Sequence, residues 1–203
     1  ARKLKRAGVN LLAGRLRLRV MHPFMACELG AEFSLARALR TGMIPLAWMA
    51  DDPEDVLRAY AGLYLKEEIQ AEGLARNMGG FARFLEAVTF AHASVLNTSN
   101  VARECEVERK TVEGYLGVLE DLFLAFRIGP FVRKAQRRVT QHPKFYLFDP
   151  GVYRTVRPLE VTEGPRPSDG AALEGLVAQH LRAWNDYDGN RHTLAFWRTP
   201  EGR

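Results

Sequence analysis

The most regular pattern of apolar and polar positions lies between residues 97 and 149. Residues 98–105 and 109–126 have helical spacing, and Glu106-Val107-Glu108 between them predict a three-residue turn. The second segment is the stronger prediction, because its apolar side chains recur at every third or fourth position and form one stripe. The positions of this stripe are Val112, Tyr115, Leu116, Leu119, Leu122 and Phe123.

The period of the pattern changes to that of strands after the second helical segment. Beyond Gly129-Pro130, residues 131–132 and 145–148 predict two short strands, and residues 133–144 connect them. Two short helices followed by a strand pair predict a winged helix-turn-helix. In this interpretation residues 133–144 form the wing.

Capping residues predict further helices on both sides of this unit. Asp52 followed by Pro53 is typical of a helix start, and so is Asp149 followed by Pro150. The longer of the two winged-unit helices would begin at Glu108, which is a weaker cap than serine. We assign Asp149 a structural role, not a catalytic one.

Two more helices and two strands are predicted outside this unit. Residues 81–96 should form a core helix that begins after the break at Gly79-Gly80, and residues 16–20 and 193–198 should form short strands. Residues 171–184 should form a helix with its larger apolar side chains inward. These side chains are Leu173, Leu176, Val177 and Leu181, together with His180.

The chain is therefore predicted to be mainly α with small β elements, an α+β class. Residues 157–170 are rich in proline and glycine and predict a linker. His92 has no second potential ligand near it in the sequence, so we interpret it as an ordinary histidine of the core or the surface.

Composition is typical of a soluble globular protein, with 47% hydrophobic and 26% charged residues. The longest apolar run, residues 43–50, is too short for a membrane helix, which needs about 20 residues. Cys27 and Cys105 have neither the spacing of a zinc site nor that of a disulfide framework. We therefore expect a cytoplasmic protein without a membrane partner and, because it begins at Ala1 without a signal peptide, a fragment.

Positive charge is concentrated in two segments. Residues 1–19 hold seven basic and no acidic side chains, and residues 133–144 hold five basic and no acidic side chains. The rest of the chain is acidic overall, so the two segments indicate local contacts with phosphate or nucleic acid. The alternative is that both are solvated, charged strand faces.

Three sequence runs resemble a known family. They are residues 97–102 (NTSNVA), 110–116 (KTVEGYL) and 143–151 (PKFYLFDPG). These runs are similar to the middle of prokaryotic AAA-type P-loop ATPases that carry a winged helix and a C-terminal domain resembling restriction nucleases. The resemblance covers nearly the whole chain.

The resemblance implies a division of the chain into segments. Residues 1–78 correspond to the back and the helical lid of the AAA-type ATPase domain, and residues 79–156 to the winged helix-turn-helix. The linker 157–170 and the beginning of the nuclease-like domain, 171–203, follow. A longer parent protein would bind ATP and Mg²⁺, but this chain has no P-loop motif and should bind neither.

The resemblance also implies two site residues. Arg15 would face the nucleotide, where a guanidinium can stabilise charge on a transferred phosphoryl group. Glu174 would occupy the position of a nuclease-like helix carboxylate, although a single carboxylate cannot support metal-assisted hydrolysis. The alternatives are a surface or DNA-directed arginine and an exposed helix carboxylate.

Nucleic-acid contact is predicted from the basic side chains of the winged unit. Only the first turn of the second helix is basic, and Glu113, Gly114, Gly117 and Glu120 follow on the same face, so we expect phosphate contact without base reading. The alternative is a non-enzymatic winged-helix module that binds DNA, a protein partner or a second copy of the chain. The candidate contact residues are Arg109, Lys110, Arg133, Lys134, Arg137, Arg138 and Lys144.

Overall fold

A mostly helical chain with one small four-stranded sheet confirms the predicted α+β class. The computed structural model describes residues 19–64, 77–131, 142–158 and 167–197. The predicted strand at 16–20 falls largely outside these ranges, and Arg19 and Val20 within them are not in a strand.

Two of the four short helices near the start of the described chain begin at polar caps. The Ser34 hydroxyl accepts a hydrogen bond from the Arg37 N–H, and the Asp52 carboxylate accepts one from the Asp55 N–H at 2.9 Å. Pro53 occupies the next position, so the helix start predicted at Asp52 is confirmed. The helices are α1 (Ala26–Leu29), α2 (Leu35–Thr41), α3 (Pro45–Trp48) and α4 (Pro53–Ala59); a 3-10 turn (Gly30–Glu32) follows α1 and a π-helical turn (Tyr60–Tyr64) follows α4.

The middle of the chain contains α5 (Met78–Thr89), β1 (Ser94–Val95), α6 (Thr98–Glu104) and α7 (Arg109–Asp121). Asn77 caps α5 by accepting a hydrogen bond from the Gly80 N–H at 2.9 Å, so the glycine pair lies inside the first turn of the helix. The other end of α5 is Thr89, not Leu96, and Ala93 has a positive φ of 57° just before β1. Both predicted ends are wrong, because the Asn77 cap begins the helix three residues earlier and the helix ends in a turn in which the Phe90 N–H donates to the Ala87 carbonyl.

Helices α6 and α7 lie where the sequence predicts the helix pair. The Asn97 side chain caps α6 by accepting hydrogen bonds from the Ser99 and Asn100 N–H groups. Glu108 precedes α7 without a side-chain hydrogen bond, so the weak cap expected there is confirmed.

Helix α7 ends at Asp121, five residues before the predicted end. Phe123 has a positive φ of 61°, and the Leu124 N–H donates to the Leu119 carbonyl at 2.8 Å. A second hydrogen bond from the Phe123 N–H closes the same turn. This arrangement is a Schellman motif, which usually has glycine at the left-handed position. The helix end was mispredicted because a phenylalanine takes that place.

The remaining strands are β2 (Ala125–Pro130), β3 (Lys144–Leu147) and β4 (Ala195–Phe196), and the sheet has the strand order β1-β3-β2-β4. Strand β3 is antiparallel to β1 and β2, and β4 is parallel to β2. Strand β2 already contains Gly129-Pro130, so the prediction that this pair precedes the strand is wrong. A proline at the end of a strand is tolerated because it removes no central hydrogen bond of the ladder.

Helix α8 (Pro150–Val156) begins at a buried carboxylate. Asp149 is 1% exposed and accepts hydrogen bonds from the Gly151 and Val152 N–H groups at 2.8 and 3.1 Å, so the predicted cap is confirmed. Its second oxygen accepts from the Met43 N–H at 2.6 Å, which ties α8 to the loop after α2. Burial raises the pKa of Asp149 to about 6, and the backbone donors oppose this shift.

Two glycines allow this close approach. Gly42 has a φ of 73°, and a β-carbon there would lie 2.0 Å from the Asp149 carboxylate. A β-carbon on Gly151 would lie 2.5 Å from the Thr41 carbonyl oxygen. Neither position has room for a larger residue, since the first contact is a carboxylate and the second is backbone.

Helix α9 (Pro167–Tyr187) begins earlier than predicted, so residues 167–170 belong to the helix instead of the linker. Residues 159–166 lie outside the described ranges. The predicted strand near the end is confirmed in part, because Ala195–Phe196 pair with β2.

The buried face of α9 matches the prediction only in part, since Leu176 is 4% exposed as predicted. Leu173, Val177 and Leu181 were expected inward but are 41%, 49% and 47% exposed. Ala172 and Ala183 are fully buried instead. Small side chains on that face let the helix approach its neighbours closely, which a count of large apolar residues does not predict.

One hydrophobic core connects most elements. It contains residues of α5, α6, α7, β2, β3, α8 and α9, and Phe81 meets Tyr115 edge-on with ring centroids 5.1 Å apart. Helix α8 packs on α2 and α4, and α9 packs on α2, α8 and β3. These contacts join segments that the sequence assigns to different domains; the boundaries at 78, 156 and 170 stay predictions.

Replacing Asp149 by Asn should destabilise the fold strongly. The amide nitrogen would face the N–H of Met43 or of Gly151, so a buried donor would lose its acceptor, and the free energy of unfolding should fall by roughly 2–3 kcal/mol. Urea unfolding of both proteins measures the difference. The matched control is Asp52→Asn at an exposed cap, where the loss should stay under about 0.5 kcal/mol. Equal losses in the two variants would contradict the structural role of Asp149.

Candidate functional site

The outer face of α7 carries two basic side chains in its first turn. Arg109 and Lys110 are both exposed, and the Arg109 Nε donates a hydrogen bond to the Glu113 carboxylate at 3.0 Å. Gly114 follows on the same face, and a β-carbon there would meet nothing within 4 Å. The face is therefore open, and one of its two cations is neutralised by its own helix.

A second ion pair lies between the end of α7 and β2. The Nε and Nη2 atoms of Arg127 donate to the two carboxylate oxygens of Glu120 at 2.7 and 2.6 Å. The hydrogen bond to Glu120 raises the pKa of Arg127. This bidentate pair connects the helix to the sheet and uses the charge of Arg127 within the fold.

Lys144 lies at the start of β3, directly after the basic segment. Its Nζ donates to Glu174 Oε1 at 2.7 Å, and the same oxygen accepts a hydrogen bond from the Tyr146 hydroxyl at 2.8 Å. Lys144 and Tyr146 are two residues apart on the strand, so both point toward α9. The structure thus brings together a residue predicted to bind nucleic acid and the carboxylate predicted to belong to a nuclease-like site.

The Glu174 carboxylate holds α9 against the sheet in this arrangement. Burial and the hydrogen bond to Glu174 raise the pKa of Tyr146, so its hydroxyl stays protonated and donates. Within the described ranges, no group of three or more His, Cys, Asp or Glu side chains could hold a metal ion. The contacts of Glu174 are with a cation and a phenol.

His92 lies behind this cluster and is 3% exposed. Its Nδ1 accepts a hydrogen bond from the Leu147 N–H at 3.0 Å, and its ring stacks on Tyr153 with centroids 4.1 Å apart. A β-carbon on Gly175 would lie 2.3 Å from the His92 Nε2, so only glycine at this position lets α9 pack this closely on His92. Burial lowers the pKa of His92 to about 4, which makes it a neutral core histidine.

Five candidate residues fall outside the part of the chain that the structure describes. They are Arg15, Arg133, Lys134, Arg137 and Arg138.

Two other predictions concern the cysteines and membrane helices. Cys27 is exposed, Cys105 is buried and both are free. No described helix has the length and apolar character needed to cross a membrane.

Sequence reasoning missed Tyr146 and a polar row on α9. The signal for Tyr146 was its spacing of two from Lys144, which places both side chains on one face of a strand. The signal for Gln179, Arg182 and Asp186 was their spacing of three and four, which places them on one face of a helix. Neither spacing says which element lies opposite.

Acid should destabilise the protein through His92. Its pKa is near 6.5 in the unfolded chain and about 4 when folded, so the unfolded chain takes up the proton first as pH falls. Between pH 7.5 and pH 5 this difference should cost about 2 kcal/mol of unfolding free energy.

The variant His92→Asn keeps an acceptor for the Leu147 N–H and removes the titration. Urea unfolding at both pH values should therefore show a smaller acid-induced loss in the variant than in the wild type. Titration of Asp149 is common to both proteins and cancels in the comparison. An identical loss in the two proteins would show that His92 is not the group that titrates.

The comparisons with known proteins concern the middle of the chain. Searches of curated proteins and of solved structures found no match. The sequence model of one family, described as a domain of unknown function (DUF8612), matches residues 32–163. This match covers about two thirds of the chain, from the 3-10 turn before α2 to beyond α8. The chain therefore belongs to the DUF8612 family.

Proposed function

We propose that residues 79–156 form a winged helix-turn-helix unit that contacts the phosphate backbone of duplex nucleic acid without reading base sequence. The observation that carries this proposal is the element order α5-β1-α6-α7-β2-β3 with β3 paired between β1 and β2. In winged helices the same order places a hairpin loop beside the second helix of the pair. Strands β2 and β3 here bracket the basic segment.

The charge distribution supports phosphate contact by the hairpin. The connection between β2 and β3 carries Arg133, Lys134, Arg137 and Arg138 and no acidic residue. Side chains of this type on a hairpin bind backbone phosphates, which supply affinity but no sequence information. Lys144 contributes less to binding, because Glu174 already neutralises it.

The composition of the α7 face argues against base reading. Specific recognition needs several long donors along the helix that enters the major groove. On α7, Arg109 is paired with Glu113 and the next exposed position is Gly114. Lys110 alone would supply at most one base contact, so binding should be nearly independent of sequence.

A protein-binding winged helix is the second candidate function. Gly114 and Gly117 lie three residues apart on α7, and a β-carbon on either would meet nothing within 4 Å. Such a spacing allows the backbone of a partner protein, or of a second copy of the chain, to approach the helix closely. Failure to bind DNA would favour this candidate.

The ATPase function implied by the family resemblance concerns a longer parent protein that binds ATP and Mg²⁺. Arg15 would then stabilise charge on the transferred phosphoryl group. In that parent, Arg15→Ala should lower ATP turnover more than ATP affinity, measured by steady-state kinetics and nucleotide binding. Unchanged turnover would leave Arg15 as a surface or DNA-directed arginine.

The proposal predicts a salt-dependent, sequence-independent affinity for duplex DNA. If the wing neutralises three to five phosphates, log affinity should fall with log salt with a slope of about −3 to −4. Replacing Arg133, Lys134, Arg137 and Arg138 by Ala should flatten the slope and weaken all sequences equally. Salt titrations with two unrelated fluorescent duplexes measure both effects.

A matched control separates the hairpin from net charge. The double variant Arg137→Ala, Arg138→Ala should lose affinity, whereas Arg40→Ala, Arg58→Ala removes the same charge from exposed positions on α2 and α4 and should keep it. Glu113→Ala should leave sequence preference unchanged. Equal losses in the two double variants, or binding insensitive to salt, would contradict contact by the wing.

A further inference from the structure

A half-enclosed cavity of about 300 Å³ lies between α9, the residues before α1 and the turn that ends α7. Its volume is at the lower end of the range in which proteins bind small molecules. Apolar side chains form most of the wall, and His22, Gln179 and Arg182 are its polar members. The largest apolar contributors are Tyr60, Phe123, Phe148 and Leu124.

Arg182 is the charged group of this wall, and its acidic neighbours form hydrogen bonds with other side chains. Burial lowers the pKa of Arg182, and the nearby carboxylates of Asp186 and Glu120 act to raise it. Asp186 accepts a hydrogen bond from His22 at 2.7 Å, and Glu120 holds Arg127 with both oxygens. Among the described residues Arg182 forms no ion pair.

The environment of Arg182 favours a planar anion. Its guanidinium lies 4.8 Å from the centroid of the Phe126 ring, and burial lowers the pKa of Arg182. A guanidinium stacked on a ring keeps its planar fork of donors free at the edge, which matches a carboxylate in a bidentate pair. Because burial has already removed part of the water around this guanidinium, an anion that pairs with it displaces little further hydration.

Contacts of α9 with the N-terminal residues keep the cavity in shape. The Gln179 Nε2 donates to the Pro23 carbonyl at 3.4 Å, and the His22 N–H donates to the Tyr187 hydroxyl at 3.1 Å. Gln179 is 2% exposed, and its Oε1 is buried without a hydrogen-bond partner in the described part of the chain.

We propose that this cavity binds a small aromatic carboxylate, with the carboxylate on Arg182 and the ring against the apolar wall. The apolar wall provides burial for the ring and the unpaired guanidinium provides the charge partner. This site is separate from the hairpin, so it does not depend on nucleic-acid binding. Small-molecule binding would be a second function of the chain.

The test compares two probes of nearly equal shape by titration calorimetry. The 203-residue chain should bind 2-naphthoate saturably, and the neutral 2-naphthamide should bind about tenfold more weakly because it cannot pair with the guanidinium. Inorganic phosphate, which has no apolar part, should bind no more tightly than the amide. Equal affinity for acid and amide, or no saturable binding of the acid, would overturn the proposal.

Three variants locate the site. Arg182→Gln should reduce the affinity for 2-naphthoate to that for the amide, whereas Arg191→Gln changes an exposed arginine paired with Asp188 and should leave both affinities unchanged. Val20→Phe should weaken both probes, because a larger side chain fills the cavity while Arg182 stays in place. If Arg182→Gln binds the acid like the wild type, or if Val20→Phe binds both probes normally, the ligand is not in this cavity. Circular dichroism of each variant confirms that the fold is intact.

Discussion

The buried carboxylate of Asp149 is the interaction on which the arrangement of the helices depends. It caps α8 through two backbone N–H groups and holds the loop after α2 through the Met43 N–H. A fully buried carboxylate is costly unless donors surround it, and here the backbone supplies all the donors that it contacts. Because these donors come from residues more than a hundred positions apart, one side chain contributes a direct connection between the N-terminal helices and the rest of the fold.

The placement of α9 depends on this connection between α8 and the loop after α2. With α8 fixed on α2, a face is formed on which α9 packs through alanine side chains, and Glu174 then meets Lys144 and Tyr146 on β3. The same helix closes over His92 at Gly175 and carries Arg182 to the cavity wall. The proposed ligand cavity and the proposed hairpin surface use different residues.

Much of the candidate site was accessible from the sequence, but its pairings were not. The spacing of residues 98–126 and the caps at Asp52 and Asp149 are local signals, and they placed the starts of α6, α7, α4 and α8 correctly. The roles of Lys144 and Glu174 changed once they were seen to bond to each other, since an ion pair between β3 and α9 depends on where the two elements lie in space. Local spacing carries no such information.

The sequence by itself determined the α+β class, the helix pair, the strand β3, and the concentration of positive charge just before it. These features follow from periodicity, capping and composition, which act over a few residues. Only the tertiary structure decided that Phe123 ends α7 in a left-handed turn and that α9 buries its alanines and exposes Leu173, Val177 and Leu181. In both cases the outcome depends on packing against elements that are distant in the sequence. Contacts with those elements offset the free-energy cost of an unusual backbone angle or of exposed apolar side chains, and a local sequence pattern does not contain them.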